Sequence, residues 1–296
     1  MSTSPIVPSS PEQSDAPAHL GSILLSGADA RSFLQGQLTA DLDTLDPHRI
    51  LLAACNSPQG RVQAVLRIIE RGDGIALILP GTMVETIAAR LRKYVLRSKV
   101  KIEPGAKSLA LIGRDALPAN VAPAGTHAHH EHAGTSYIHL PGHEQILVLD
   151  APAASSSDSA AYAQWHLDDI RAGLPQVYPQ THETFVAQML NLDLLDGISF
   201  EKGCYTGQEI IARTHFRGAI KRRMFRFTAS CPPPAPGTRI LAGEAHAGDV
   251  VDAAASGEGS ELLAVVSLAH AEEQLRLELV PVVELKKEPL PYVIAG

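Results

Sequence analysis

The sequence predicts an α+β fold completed by a C-terminal antiparallel β-barrel, and three observations predict it. Before Arg223, meanders of apolar-rich strands alternate with single amphipathic helices, as in helices packed on one face of antiparallel or mixed sheets. After Arg223, short alternating strands are broken by Gly and Pro clusters such as Pro232-Pro233-Pro234, which suits a small all-β barrel. No G-x-G-x-x-G follows a strand and no G-x-x-x-x-G-K-[ST] occurs, which argues against a Rossmann or phosphate-loop cofactor site.

Residues 1–18 are rich in Ser and Pro and lack both a basic head and an apolar stretch, so they read as a disordered tail, neither signal nor transit peptide. An α+β region of two interleaved subdomains is expected over 19–222 and the barrel over 223–296. A strand at 22–25 leads through Gly27-Ala28-Asp29 into a helix over 30–38, with Asp29 as N-cap and Phe33, Leu34 and Leu38 on its apolar side. Strands at 50–55, 62–69 and 75–79, joined by Ser57-Pro58-Gln59-Gly60 and Arg71-Gly72-Asp73-Gly74, form a meander. A helix over 82–96 follows, its stripe carried by Val84, Ile87, Ala88, Leu91 and Val95, then strands at 99–102 and 108–112. A polar loop with His127, His129, His130 and His132 leads into a hairpin at 136–140 and 145–149 that carries His139 and His143. Metal binding competes there with a plain polar loop; only clustering is visible, not a spaced ligand set, and no metal site is assigned. Helices are expected over 160–171, carrying the sole tryptophan, Trp165, and within 182–195. Barrel strands are expected at 224–228, 239–241, 247–251, 262–267 and 275–279.

The chain of 296 residues is long enough for two or three packed units, and 45% hydrophobic with 19% charged residues is an ordinary globular composition. No apolar run reaches membrane-spanning length, so no membrane partner is expected. Three scattered cysteines, Cys55, Cys204 and Cys231, make no disulfide framework and point to a reducing, cytoplasmic compartment; without a CxxC or a three-cysteine cluster, no intrinsic iron–sulfur cluster is expected. A net charge of −7 disfavours nucleic-acid binding through bulk charge. Two basic runs, Arg90 to Lys101 and Arg213 to Arg226, are either solvated faces or, if they share one surface, a seat for an anionic ligand tail or a phosphate backbone.

The stretch Gly197 to Arg213 is where local chemistry is concentrated. It reads as a short strand at 198–202, a turn made by Gly203 and Gly207, and a helix to about residue 216 ended by Gly218. Thr206 and Glu209 have the spacing of a capping box. Cys204 then lies just outside a helix N-terminus, with Lys202 and Arg213 near in sequence, an environment that favours thiolate. The competing reading is a small packed residue at a crowded junction.

Lys202-Gly203-Cys204-Tyr205-Thr206-Gly207-Gln208-Glu209 resembles the K-G-C-Y-x-G-Q-E signature of the YgfZ family, folate-binding proteins similar in fold to the aminomethyltransferase (T-protein) of the glycine cleavage system. Ser26 to Asp29 with Phe33 to Asp41, Lys93 to Val100, Gln188 to Leu192, Phe216 to Arg222 and Glu288 to Tyr292 extend the likeness from about Leu20 to Tyr292. The resemblance implies ferredoxin-like α/β units and a β-barrel ringed around a folate site, with tetrahydrofolate as cofactor. It also implies an accessory role toward iron–sulfur enzymes, including a tRNA-modifying one. Cys204 would be the reactive thiol and Lys202 the cation biasing it. Trp165 resembles a position proposed to contact folate, although it suits a core residue equally well. Gln188, Asn191 and Gln208 are candidate amide partners, and Arg213, Arg217 and Arg223 candidate partners for the glutamate tail.

Three positions depart from the family pattern: Leu20 stands for a second tryptophan, Arg171 for a common glutamate, and Ala187 for a usual proline. Arg171 removes a carboxylate that would hold pterin N–H groups. The enzymatic alternative is a folate-dependent aminomethyl or one-carbon transferase, but Gly60 to Leu66 lacks the acid such chemistry uses beside the pterin. A third reading is an RNA-binding module on the basic runs. A thiol hydrolase would need a base near Cys204, for which His215 is a distant candidate.

Overall fold

A computed structural model describes residues 20–106, 108–118, 121, 128–151 and 159–294; the expected tail at 1–18 and His127 lie outside the described residues. Strands β1 (Leu20–Ser26), β2 (Leu51–Asn56), β3 (Val62–Arg71), β4 (Gly74–Pro80) and β5 (Lys101–Pro104) form one antiparallel sheet in the order β2-β3-β4-β1-β5. Helices α1 (Ala30–Gln35) and α2 (Val84–Arg92) cover one face, where Phe33, Leu34, Ile87 and Leu91 pack on Ile23, Leu25, Leu66 and Leu77. The other face, with Leu52, Val65, Ile69 and Ile78, enters a central core shared with Trp165 and Phe185. Burial on both faces explains why β3 reads as a nearly continuous apolar run.

A second sheet, ordered β6-β9-β8-β7, contains β6 (Leu109–Gly113), β7 (Ala128–His132), β8 (Thr135–His139) and β9 (Gln145–Leu149). The histidine-rich loop expected at 127–132 is therefore in large part a strand. Glu131 accepts from the Gly72 N–H at 2.7 Å, and His129 Nδ1 meets the Pro47 carbonyl at 2.8 Å, so the strand is stitched to the first sheet. Burial depresses the His129 pKa to about 4. Among the described residues, no three His, Cys, Asp or Glu side chains gather as a metal site.

Helix α3 (Ser159–Arg171) crosses from the second sheet to the barrel, and α4 (Gln208–Arg217) follows the glycine turns. The barrel closes in the order β10-β13-β12-β11-β14-β15, from β10 (Arg222–Ala229), β11 (Arg239–Ala242), β12 (Ala245–Ser256), β13 (Gly259–Ser267), β14 (Leu275–Leu277) and β15 (Val283–Glu288). Strand β15 went unforeseen: its Lys-rich exposed positions leave Leu285 as its buried apolar residue. The α+β class with its antiparallel barrel is thus observed. A register shift in β12 between Val250 and Asp252 turns both Val251 and Asp252 toward α3, while Val250 stays in the barrel core.

Two expected elements are absent. The helix within 182–195 is only a 3-10 turn, Ala187–Leu190, stopped by Asn191 at φ 58°. The buried amides of Gln188 and Asn191 explain the break, because they hydrogen-bond backbone carbonyls of α4 and β10 instead of facing a helix surface. The strand at 198–202 is irregular chain whose hydrogen bonds go to separate partners and form no ladder.

Candidate functional site: the cysteine turn and the central cavity

The motif turn rests on the segment after α1. Ser199 N–H donates to the Thr39 carbonyl at 2.9 Å and Thr206 N–H to the Gly36 carbonyl at 3.1 Å. Thr39 Oγ1 donates to the Gly197 carbonyl at 2.6 Å. The expected capping box is not made: Gly207, at φ 82°, is the N-cap and no side chain caps α4. The Thr206 N–H that a capping box would offer to the Glu209 carboxylate is committed to the Gly36 carbonyl, and Glu209 in the first turn still complements the helix dipole.

Lys202 corrects a second expectation. Its ammonium is buried and donates to the carbonyls of Leu38 at 3.0 Å and Ala40 at 2.5 Å, with the Tyr205 ring 5.3 Å away. Burial lowers its pKa to about 8, against the pull of Asp41 and Asp43. Lys202 thus holds the loop from beneath, committed to carbonyls rather than to the thiol. Cys204 is exposed, and a Cβ on Gly203 would meet nothing within 4 Å. His215 stacks on Phe200 with ring centroids 3.8 Å apart.

The other predicted residues are distributed rather than gathered. Gln188 donates to the Ile211 carbonyl at 2.7 Å and Asn191 to the Met224 carbonyl at 2.8 Å. Arg223 is buried in a two-toothed pair with Asp193, at 2.6 and 2.9 Å, and also donates to the Gln188 carbonyl. These three tie α4, the 3-10 turn and the barrel together through buried backbone carbonyls, while Gln188 Oε1 is buried without a hydrogen-bond partner. Arg213 and Arg217 are exposed on α4, and Gln208 opens its first turn.

Trp165 is the predicted residue that lines a central cavity, together with Leu20, Pro80, Tyr162, His166, Asp169, Gln176 and Tyr178. The cavity is about 10 Å³, room for about one water. It sits between the first sheet, α3 and the segment that follows α3, near the barrel's Asp252 that His166 and Tyr178 contact, and its walls carry buried charge. Arg67 pairs with Asp169 Oδ2 at 2.6 Å, both side chains almost wholly buried, and the Gln176 amide oxygen, correctly oriented, accepts from Arg67 at 2.8 Å. His143 Nδ1 meets the Pro141 carbonyl at 2.9 Å, and its Nε2 pairs with Asp169 Oδ1 at 2.9 Å. The His143 ring tilts against Trp165 at 4.2 Å, and Trp165 Nε1 is buried without an acceptor. Although burial opposes its charge, Asp169 has a lowered pKa because Arg67 and His143 outweigh desolvation.

A second set joins α3 to the barrel. His166 Nε2 and Asp252 Oδ1 are 2.8 Å apart, and the Tyr178 hydroxyl donates to Asp252 Oδ2 at 3.1 Å. Burial opposes the His166 charge, but Asp252 prevails and the pKa is raised. Sequence reading missed Arg67, His166, Asp169, Gln176, Tyr178 and Asp252, and weighed His143 only as part of the histidine-rich stretch. A charge isolated in an apolar strand, as in Val65-Leu66-Arg67-Ile68-Ile69 and Val250-Val251-Asp252-Ala253-Ala254, was the available signal.

Arg171 lies about 200° around α3 from Asp169, at about 100° per residue. It pairs with Glu261 of the barrel at 2.7 Å and is absent from the cavity wall. Among the described residues, no helix is long and apolar enough to cross a membrane.

No family model matches the chain. The chain is 32% identical, over 98% of its length and 98% of the relative's, to the tRNA-modifying protein YgfZ of Serratia proteamaculans. It is 33% identical to that of Yersinia pestis (strain Pestoides F), over 92% of this chain and 90% of the relative. Against that of Yersinia enterocolitica it is 36% identical over 70% and 68%. Among solved structures, glycine cleavage system aminomethyltransferase T from Bartonella henselae superposes with a TM-score of 0.73 at 16% identity, covering 94% of this chain and 85% of that one. With the signature turn, the sheets and the barrel in place, the chain belongs to the YgfZ family of tRNA-modifying proteins, built on the aminomethyltransferase T fold.

Proposed function

We propose that this protein binds a reduced folate, tetrahydrofolate, in the cavity beside Trp165, and presents the Cys204 turn to partners whose iron–sulfur chemistry serves tRNA modification. One observation carries the folate half: the buried Trp165 indole N–H, without an acceptor, lines a cavity beside the buried Asp169 carboxylate, between the first sheet and α3. An unpaired donor and a buried carboxylate on a wall of mixed polar and apolar groups are what a flat heterocycle with donor and acceptor edges satisfies. Trp165, Leu20 and Tyr162 would flank the ring, and Arg67 would keep the carboxylate charged. Tetrahydrofolate would supply a one-carbon carrier through its reduced pterin nitrogens. In its closed form the cavity has room for only about one water, so binding requires the wall formed by Leu20 and Tyr162 to part.

The accessory reading fits the turn better than turnover does. Cys204 is exposed, Gly203 leaves open space above it, and Lys202 fixes the loop from below, an arrangement suited to a protein or RNA surface approaching the thiol. A one-carbon transferase finds no acid in Gly60 to Leu66, and the cavity carboxylate is tied to Arg67. The RNA reading is weakened in the second basic run. Arg222, Arg223 and Arg226 pair with Asp249, Asp193 and Glu261, while Arg213, Arg217 and Lys221 are exposed.

The test is anaerobic titration with tetrahydrofolate, following fluorescence of the single tryptophan. Saturable quenching at micromolar ligand is expected. Absence of binding, by fluorescence and by calorimetry alike, would remove folate from the proposal.

A further inference from the structure

The chain carries a net charge of −7, yet two groups of exposed cations stand beside the cysteine turn without carboxylate partners. Lys93, Arg97 and Lys99 follow α2, and Arg213, Arg217 and Lys221 lie on and after α4. None of the six pairs with a described carboxylate. Other cations of the same runs do: Arg92 with Glu85, Lys101 with Glu103 and Arg222 with Asp249.

The fold brings the two groups to the turn. Arg90, three residues before Lys93, donates to the Gln37 amide oxygen at 3.0 Å and to the Asn56 carbonyl at 2.7 Å. Gly36, next to Gln37, accepts from Thr206, and a Cβ on Gly207 would fall 3.1 Å from Asn56 Cβ. The end of α2 and the start of α4 are therefore held on the same short segments, with the exposed Cys204 just ahead of α4. Exposed aromatic rings are interleaved with the cations: Tyr94, its centroid 4.9 Å from Arg90 Cζ, and Phe216, 68% exposed. The neighbouring carboxylates are Asp29, Asp41, Asp43, Glu201 and Glu209. Asp29 accepts from the Lys99 N–H, and Asp41 from Gln35 and the Asp43 N–H.

We propose that this surface binds a single-stranded segment of RNA, with phosphates on the two groups of cations and unstacked bases on Tyr94 and Phe216, so that the strand passes Cys204. The inference rests on the reading that the Cys204 turn serves tRNA modification through a partner, which selects RNA over DNA, and it needs no folate. Cations without carboxylate partners are free to replace the counterions of a phosphate backbone. Aromatic faces set among cations bind single strands whatever their sequence, because every base has a face to stack. Half of the six cations are lysines, which the cores of protein–protein interfaces avoid, so RNA suits the surface better than an acidic protein does.

The test is fluorescence anisotropy of the intact chain with a labelled uridine oligomer of about 12 nucleotides. Affinity should fall about fiftyfold between about 50 and 200 mM salt, the slope for about four phosphate contacts. Arg97→Glu and Arg217→Glu, one from each group, should each weaken binding by about tenfold or more and flatten that slope. Lys286→Glu, an equal charge change on the barrel, should stay within about twofold of wild type. Phe216→Ala should weaken binding about fivefold with the salt slope unchanged. Absence of binding at the lower salt, or equal losses in Lys286→Glu and the two arginine variants, overturns the assignment. Binding of a poly-glutamate of equal charge as tightly as the RNA also overturns it and gives the surface to an acidic protein segment. Cys204→Ala in cells separates the inference from the reading beneath it. Impaired tRNA modification in that strain, with no RNA bound by the wild-type protein, overturns the inference alone. Normal modification in that strain, with RNA bound, removes the reading of the thiol and leaves the RNA surface standing.

Discussion

Gly60 and Gly207 meet so closely that neither has room for a side chain. A Cβ on Gly207 would fall 2.7 Å from the Ser57 carbonyl oxygen and 3.0 Å from Gly60 Cα, and one on Gly60 would fall 2.7 Å from Ile210 Cβ. The β2–β3 turn and the cysteine turn are thus packed backbone to backbone, and both glycines adopt positive φ, 70° and 82°. Gly207→Ala should therefore destabilise the protein by about 2–4 kcal/mol, combining left-handed strain with a backbone clash. Gly203→Ala, with nothing near its Cβ, should stay within about 0.5 kcal/mol of wild type. Urea denaturation of the two variants checks the contrast. On the proposed function, Gly203→Ala should still impair complementation in cells, because the space it fills is kept for a partner.

Lys202 gives a prediction with a pH signature. Replacing it by Met leaves the buried carbonyls of Leu38 and Ala40 without their donor, a loss of about 1–3 kcal/mol. The folded pKa of Lys202, about 8, lies below its ordinary value of 10.5. Between those values the unfolded chain binds more protons than the folded one, so stability from this group rises with pH across that window. The stability advantage of wild type over Lys202→Met should therefore grow from pH 8 to pH 10. An advantage that stays flat or shrinks in paired denaturation curves contradicts the burial of this ammonium.

The motif turn was legible in sequence because its features are local: two glycines, of which Gly207 takes a positive φ, a helix start within three residues, and a polar run without apolar periodicity. Its supports were not, because the carbonyls of Gly36, Leu38, Thr39 and Ala40 are backbone atoms that carry no side-chain signal, and the Thr39 hydroxyl finds the Gly197 carbonyl from a distant stretch of chain. The barrel was legible from period-two alternation, but the bulge that turns Asp252 outward is a register fact that appears only once β12 and β13 are paired. The cavity was hardest. Arg67, His143, Asp169 and Asp252 come from four separate stretches, and each alone reads as an ordinary charged or polar residue. Gln188, Asn191 and Arg223 read in the opposite sense: polar residues beside the signature motif tie buried backbone together.

Asp252 and His166 predict a pH dependence of opposite sign. The raised His166 pKa means that the folded state holds its proton more tightly than the unfolded chain does. The stabilisation is fully present below about pH 6.5, the ordinary histidine value, and is lost as pH rises through the folded pKa. Asp252→Asn keeps a partner for the Tyr178 hydroxyl but removes the carboxylate charge. The difference in thermal midpoint between wild type and Asp252→Asn should accordingly be larger at pH 5.5 than at pH 8.5. A difference independent of pH would mean that the pair contributes through packing rather than charge.

Cysteine accessibility separates the exposed turn from the core. Cys204 is exposed, Cys231 half-buried and Cys55 fully buried in β2. Burial also raises the Cys55 pKa, which suppresses its thiolate further. Alkylation of the native protein at neutral pH should label Cys204 first and Cys231 more slowly, with Cys55 reacting only after denaturation, as read by peptide mass analysis over time. Cys204→Ala should then abolish the fast phase and leave the thermal midpoint within about 2 °C of wild type, because an exposed side chain carries little packing. Loss of cellular function in that folded variant would assign the thiol a chemical or docking role. A variant that melts early would instead make Cys204 a packed structural residue, against its exposure in the turn.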